Sequence, residues 1–277
     1  MGWQLLSPLA PISLLPYVSV MKILFVGDIM GKAGRKAFMD KAIALKRNRE
    51  VDVLIVNGEN AANGKGINPD MADSFLEAGA DAITLGDHSY DQRQIMPYLD
   101  QADRVIRPAN FAPGAPGKGW VTVQTAVGPV TVINLIGRVF LNPSDCPFRM
   151  ADKILKLAPK NQPIFVDMHG EATSEKMAMG WHLAGRVTAV VGTHTHVQTS
   201  DARILKDHTA YLTDAGMTGS KDSIIGCKRE AVMKRFLTGL PARFEPADEN
   251  VSVEGALITC ERTGKATAIE TVRIQMD

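Results

Sequence analysis

Cysteine is scarce in this chain of 277 residues. There are three, Cys146, Cys227 and Cys260, widely scattered and odd in number. They form no CxxC pair and no disulfide framework, which fits a reducing cytoplasm. An excess of one charge is also missing: 31 Lys and Arg stand against 30 Asp and Glu, a formal charge of +1. Such a balance gives no general electrostatic reason to expect nucleic acid or an acidic membrane as partner. The first twenty residues, MGWQLLSPLAPISLLPYVSV, have no Lys or Arg at all. They therefore lack the positive start of a secretory signal, and their prolines interrupt what a membrane span of about 20 apolar residues would need. Residues 1–20 read as a disordered extension, or as the product of an upstream start codon with Met21 the true beginning. No later segment is long and apolar enough for a membrane, and no repeat, low-complexity tract or linker follows residue 20.

Two phosphate-binding fingerprints fail on inspection. GDIMGKAG has a P-loop flavour, but its glycine spacing is one residue short and no Ser or Thr follows Lys32 to hold magnesium. GKGINP starts like a dinucleotide fingerprint but has Pro69 where the third glycine belongs. Their glycines are better explained as close-approach turns beside a site.

What the chain does have, from Met21 on, is strand, turn and helix in repetition. KILFVGD, VDVLIVNGEN and ADAITLGDH are apolar runs separated by helical stretches at 33–48 and in NPDMADSFLEAG. Short apolar runs alternating with helices predict parallel strands buried on both faces. WVTVQTAVGPVTVINLIG predicts a hairpin joined at Gly128-Pro129. A helix at 148–157, the strand PIFVDMH, a helix at 174–183 and the strand TAVVG come next. The last third mixes short strands (TAYLTD, VEGALITC, TAIETVRI) with one helix near 228–237. The length allows one large or two small domains. The pattern reads as one α/β domain with two sheets over residues 21–277.

Polar residues gather at the ends of these runs. Asp28 ends the first, Glu59 and Asn60 the second, Asp87 and His88 the third. His169 ends a later strand, and His194 and His196 follow TAVVG, in a chain with only six histidines. Taken singly, a carboxylate after a strand is more often a helix cap or a turn residue. His182, in mid-helix, and His208, in a turn, read as ordinary packing or surface residues. Five strand exits that each supply a ligand-type side chain are another matter. In open α/β sheets ligands bind beyond the carboxyl ends of the strands, and carboxylates with imidazoles suit a pair of borderline metals such as Mn, Fe or Zn.

Taken together, GDIMG, NGENAANGKGI, TLGDHSYD, DMHGEATSEK and VVGTHTHVQT, with NLIGRVF and YLTDAGMTG, resemble the calcineurin-like metallophosphoesterases. Within them the chain is most similar to the bacterial YmdB-like branch of 2′,3′-cyclic-nucleotide phosphodiesterases, over nearly everything from Met21 onward. The resemblance implies a four-layer αββα sandwich of two mixed sheets flanked by helices, with a dinuclear metal centre, Fe or Mn before Zn, at the strand ends. Asp28 and His196 would hold the first metal, Asp87, His169 and His194 the second, and Glu59 would bridge them. Asn60 would stand beside the metals or the phosphate. Met30 occupies the position where the superfamily often has a His, an absence the branch shares. The family usually has Asn where this chain has Asp87, which adds negative charge, favouring the metals over an anionic substrate.

The reaction so implied is hydrolysis of a cyclic nucleotide, 2′,3′- or 3′,5′-, or a related phosphodiester by a metal-bridging hydroxide. His88 would protonate the leaving oxygen, and Asp91 would orient His88. The partners expected are a small phosphodiester, an RNA-processing protein and a second copy of the chain, with no membrane. Two rivals differ in class. A (β/α)₈ metal hydrolase of C–N bonds usually takes its HxH from an early strand, and the strand-rich last third argues against eight βα units. A catalytically weakened regulator that binds metal and nucleotide and is linked to RNA metabolism has Asp87 alone in its favour.

Overall fold

Alternation along the strands sets the layers. In β1 (Val20–Val26), Met21, Ile23 and Phe25 point to one side and Leu24 and Val26 to the other, and all five are fully buried. A strand apolar on both faces must be covered on both. In this computed structural model, which describes residues 20–48 and 50–276, one face of β1 meets helices and the other a second sheet. The expectation for residues 1–20 lies outside the described residues, except that Val20 opens β1.

The first sheet also holds β2 (Asp28–Ile29), β3 (Val53–Asn57), β4 (Ala82–Thr84), β5 (Val105–Ile106), β12 (Met217–Ser220), β13 (Val251–Glu261) and β14 (Ala266–Gln275). Its order is β2-β12-β13-β1-β3-β4-β5, with β14 beside β13. The second sheet runs β10-β11-β9-β8-β7-β6, formed by β6 (Trp120–Thr125), β7 (Gly128–Ile136), β8 (Ile164–His169), β9 (Ala189–Thr193), β10 (Arg203–Leu205) and β11 (Thr209–Leu212). Both sheets are mixed. β1, β3, β4 and β5 run parallel, as do β7, β8, β9 and β11, while β13 and β6 run against their neighbours.

Between the sheets lies an apolar layer in which Phe25 and Phe165 pack with ring centroids 4.9 Å apart. The outer face of the first sheet is covered by α1 (Gly31–Ala37), which passes through a π-helical turn (Phe38–Ala42) into α2 (Ile43–Arg47), and by α3 (Pro69–Ala78) and α4 (Ile95–Gln101). The outer face of the second is covered by α5 (Pro147–Leu157) and α6 (Thr173–Leu183). The architecture is the expected αββα sandwich of two mixed sheets. A further helix, α7 (Arg229–Thr238), is largely exposed. No helix among the described residues is long and apolar enough to cross a membrane.

Local chemistry accounts for the boundaries. Asn68 caps α3 by accepting from the Met71 amide at 2.9 Å, and Pro69 holds the first helical position. The hairpin turns one step earlier than Gly128-Pro129. Ala126 and Val127 make the turn, and Gly128, at φ 130°, opens β7. β2, β5, β10, β12 and α4 had no counterpart in the sequence reading, because elements of two to seven residues are too short to display a period.

The same alternation builds the site. On the inter-sheet face Val53 and Ile55 are followed by Asn57, Ala82 by Thr84, Phe165 by Asp167 and His169, and Ala189 and Val191 by Thr193. The layer between the sheets is apolar along its length and turns polar at the carboxyl ends of β3, β4, β8 and β9.

Candidate metal centre

Glu59, Asp87, His169 and His194 converge beyond those strand ends, and each offers a ligand atom within 4.8 Å of the others. His169 Nε2 lies 2.9 Å from Asp87 Oδ1, 3.0 Å from His194 Nδ1 and 3.4 Å from Glu59 Oε1. His194 Nδ1 is 3.3 Å from the same Asp87 oxygen. Gly86 permits this closeness, since a Cβ there would stand 2.2 Å from Glu59 Oε2 and 2.5 Å from His169 Nε2.

Hydrogen-bond bookkeeping shows what the cluster lacks. Asp167, fully buried on the same face of β8 as His169, accepts from Thr193 Oγ1 at 2.7 Å, Thr84 Oγ1 at 2.5 Å and Asn57 Nδ2 at 3.1 Å. Thr193 has one hydroxyl hydrogen and, when Asp167 is ionised, gives it to that carboxylate. His169 Nδ1, 3.0 Å from Thr193 Oγ1, must therefore be the protonated nitrogen. Its Nε2 then presents a lone pair to Asp87 and Glu59. Burial pushes the His169 pKa down to about 4 against the pull of Asp87, so a second proton is not held there at neutral pH. His194 Nδ1 and the Glu59 carboxyl, whose pKa burial raises, are the positions left to carry protons between these groups. Two carboxylates and two imidazoles converging in this way are the donor set of a borderline divalent metal, and a cation in their midst would satisfy them all.

Asp28 and His196 lie outside that group of four. Asp28 is fully buried and opens β2, two residues beyond the end of β1. Its Oδ2 accepts from the His194 amide at 3.2 Å, and its Oδ1 has no hydrogen-bond partner. Burial, with the charge of Asp214 behind it, raises its pKa to about 7. Burial and the charges of Asp87 and Asp28 push Glu59 well above the usual carboxylate range. Buried carboxylates held at this cost imply a counter-charge. His196 Nδ1 pairs with the Ile225 carbonyl at 2.9 Å, and its Nε2 faces Asn60 Oδ1 at 3.3 Å. Asn60 in turn donates to the Gly64 carbonyl. Asp28 touches the cluster through the His194 amide, and Asn60 and His196 face each other close to Glu59 and His194 in the chain.

The loop bearing the two histidines is strained. His194 has φ 99° and His196 φ 63°, left-handed values that non-glycine residues seldom adopt and that cost on the order of 1–3 kcal/mol each. A buried ion pair holds it in place. Lys176 Nζ donates to Asp214 Oδ2 at 2.7 Å, and the same oxygen accepts from Thr195 Oγ1 at 2.7 Å and from its amide at 3.2 Å. Gly192 before the loop admits no side chain, because a Cβ would meet the Thr213 carbonyl oxygen at 1.8 Å.

His88 stands at the rim, a quarter exposed and outside the cluster. Its Nδ1 is 3.0 Å from Asp91 Oδ2, its amide donates to Glu59 Oε2 at 3.3 Å, and its Nε2 is 3.8 Å from Asp87 Oδ2.

Five participating residues carry little or no mark in the sequence. Asp167 had a signal, being a lone acid in an apolar strand two residues before His169. Thr193 was hidden inside the HxH motif, and the Lys176–Asp214 pair joins residues 38 apart with no local cue. Glu171, half exposed with Oε2 3.2 Å from His194 Nε2, is the other. The Thr193 relay predicts that Thr193→Val lowers Mn²⁺ affinity about 10–100-fold, the usual effect of losing an outer-shell partner, and that Thr193→Ser restores it. Calorimetric titration yielding the parent affinity for Thr193→Val would remove the relay.

Similarity to known proteins agrees with this geometry. The profile of the YmdB-like protein family matches residues 24–272. A 2′,3′-cyclic-nucleotide 2′-phosphodiesterase of Bacillus subtilis is 48% identical over 93% of this chain and 98% of its own length. The crystal structure of a hypothetical protein from Thermus thermophilus superposes with a TM-score of 0.87 at 38% identity, over 93% of this chain and all of the other. That of a novel phosphatase from Mycoplasma pneumoniae gives 0.87 at 31% identity, over 93% and 94% of the two chains. The chain belongs to the YmdB-like family.

Proposed function

We propose that the protein is a metal-dependent phosphodiesterase that opens 2′,3′-cyclic nucleotides, with 3′,5′-cyclic nucleotides as secondary substrates. The observation that carries this reading is the convergence of Glu59, Asp87, His169 and His194 with the His88–Asp91 pair at its edge. The Bacillus subtilis relative supports the choice of substrate. Glu59, Asp87, His169 and His194 would hold one cation, and Asp28, Asn60 and His196, with Glu59 shared, a second. Mn or Fe suits this mixture of carboxylate and imidazole. What metal ions supply in such a site, once bound, is Lewis acidity toward water and toward the phosphate oxygens.

The chain's own residues do the rest. The sheet ends hold the ligand atoms on rigid strands. His169 is fixed as the Nδ1–H tautomer, and the ion pair beneath Thr195 keeps the histidine loop in its strained form. As water's oxygen adds to phosphorus and the ring P–O bond breaks, the departing ribose oxygen needs a proton. His88, held through Nδ1 by Asp91, has Nε2 free to give it. We place the enzyme in the cytoplasm, on its three free cysteines.

Asp87 favours the regulator as a second reading, and one assay separates the two. Metal-stripped protein reloaded with Mn²⁺ should hydrolyse bis-p-nitrophenyl phosphate and 2′,3′-cAMP, and Asp87→Asn should change the rate without creating it. Turnover found only in Asp87→Asn would mean that the parent serves as a binding protein.

A further inference from the structure

The loop that follows Glu59 and Asn60 also lines a cavity of about 800 Å³ whose chemistry the reaction above does not use. One wall is the loop that carries Asn60. Asn63 and Lys65 line the cavity, and Gly64, between them, is tied back to Asn60 through both its amide and its carbonyl. A second wall begins four residues after Asp28, at Lys32, and the third is the exposed stretch Arg243–Phe244. The metal centre and the cavity are therefore joined by a single short loop, residues 60–65.

Three of the cations that line it, Lys32, Lys65 and Arg243, have no carboxylate partner among the described residues, and all are exposed. Of the acids there, Glu245 is committed to Lys228 at 3.3 Å, which leaves Asp248. Phe244 adds a partly exposed ring, with the Arg235 guanidinium over it 5.5 Å from the centroid, so that a base can stack only on what Arg235 leaves open. In a chain of net charge +1, unpaired cations converging on one hollow are a local anion site, and cations with an exposed aromatic ring are the usual means of holding a single-stranded nucleic acid.

We propose that this cavity is a subsite for the 5′ portion of an oligoribonucleotide whose 3′-terminal 2′,3′-cyclic phosphate sits at the metal centre. Lys32, Lys65 and Arg243 meet backbone phosphates, and Phe244 takes a base. The substrate class is then cyclic-phosphate-ended RNA as well as free cyclic mononucleotide. Such ends arise where the 2′-hydroxyl displaces the next nucleotide from its phosphate, so the supplying reaction is an RNA cleavage by internal transesterification. The inference rests on the phosphodiesterase reading for its scissile end and on the cavity alone for its binding.

The test uses the full-length, Mn²⁺-loaded protein and the triple variant Lys32→Ala, Lys65→Ala, Arg243→Ala. Turnover is followed on 2′,3′-cAMP and on a five-nucleotide RNA ending in a 2′,3′-cyclic phosphate, and fluorescence anisotropy follows binding of the same RNA. The parent should prefer the RNA in kcat/KM, with log KM rising with log salt at a slope of about 2, as three phosphate contacts on a single strand require. The variant should lose about tenfold or more on the RNA, together with most of the salt slope, and stay within twofold on 2′,3′-cAMP. Equal losses on both substrates, or none on either, would overturn the proposal. So would binding of polyglutamate as tight as that of the RNA, which would assign the cavity to an acidic peptide. If neither substrate turns over, the phosphodiesterase reading fails, and the anisotropy difference between parent and variant still decides the cavity.

Discussion

His88→Ala is expected to lower kcat on 2′,3′-cAMP by about 10²–10⁴-fold, the usual worth of a positioned general acid, with metal content unchanged. The two halves of this expectation come from different atoms. The His88 ring is not one of the four converging groups, and its amide, which the substitution keeps, makes the contact to Glu59 Oε2. Only the imidazole is lost, and its Nδ1 is held by Asp91 while Nε2 lies 3.8 Å from Asp87 Oδ2, beyond hydrogen-bond distance. The leaving group supplies a sharper readout. The ribose oxygen that departs from a cyclic nucleotide is a strong base and needs a proton, whereas p-nitrophenolate leaves without one. The loss on bis-p-nitrophenyl phosphate should therefore be smaller by at least tenfold than the loss on 2′,3′-cAMP. Asp91→Asn should fall between parent and His88→Ala, because it keeps a hydrogen-bond partner for Nδ1 but not its charge. Equal losses on the two substrates would mean that His88 positions substrate rather than donating a proton.

Much of this site was legible before any coordinates, for a physical reason. A parallel strand buried on both faces has no use for a charged side chain until it leaves the sheet, so the residue after each apolar run is conspicuous. Asp28, Glu59, Asp87, His169, His194 and His196 all stand at such exits, and the αββα layering follows from the same apolar runs. What could not be read is what holds those residues in place. Thr193 and Asp167 act through a hydrogen bond between neighbouring strands β8 and β9. Thr84 and Asn57 reach Asp167 from the opposite sheet, and sheet-to-sheet register leaves no trace in a single chain. The left-handed backbone at His194 and His196 is likewise invisible in sequence, since histidine is not a residue that announces positive φ. The cavity cations escaped because they come from three segments, at 32, 65 and 243, none charged enough alone to mark a basic stretch.

Metal loading should have a second large effect, on stability and its dependence on pH. In the metal-free protein, burial raises Asp28 and Asp167 to about 7, and burial together with neighbouring charges raises Glu59 well above its usual range. A carboxyl with a raised pKa binds its proton more tightly in the folded state, so its contribution to stability is lost as pH rises through the folded pKa. His194 has the same sign: burial opposes it, but the hydrogen bond and charge of Asp87 lift its pKa. His169 and His196, lowered by burial, have the opposite sign, and their gain with rising pH ends only about one unit above the unfolded histidine pKa, near pH 7.5. From pH 6.5 to 8 the two lowered histidines regain at most about 0.4 kcal/mol each, and the raised groups outweigh them. Asp28 and Asp167 should each cost on the order of 1 kcal/mol over that range, with Glu59 and His194 acting in the same direction, so the metal-free Tm should fall by a few degrees, roughly 2–5 °C. Bound cations reverse this trend, because they take the place of protons and bind the ionised carboxylates. With Mn²⁺ about a thousandfold above its Kd the protein should gain about 4 kcal/mol, or about 10 °C in Tm, and the gain should be larger at pH 8 than at pH 6.5. Asp28→Asn removes one titrating group and should flatten the metal-free slope. Thermal melts at low salt with and without Mn²⁺ decide it: a metal-free Tm that holds level or climbs from pH 6.5 to 8 would mean that these carboxyls are not buried against one another as described, and a Mn²⁺ shift independent of pH would mean that they are not its ligands.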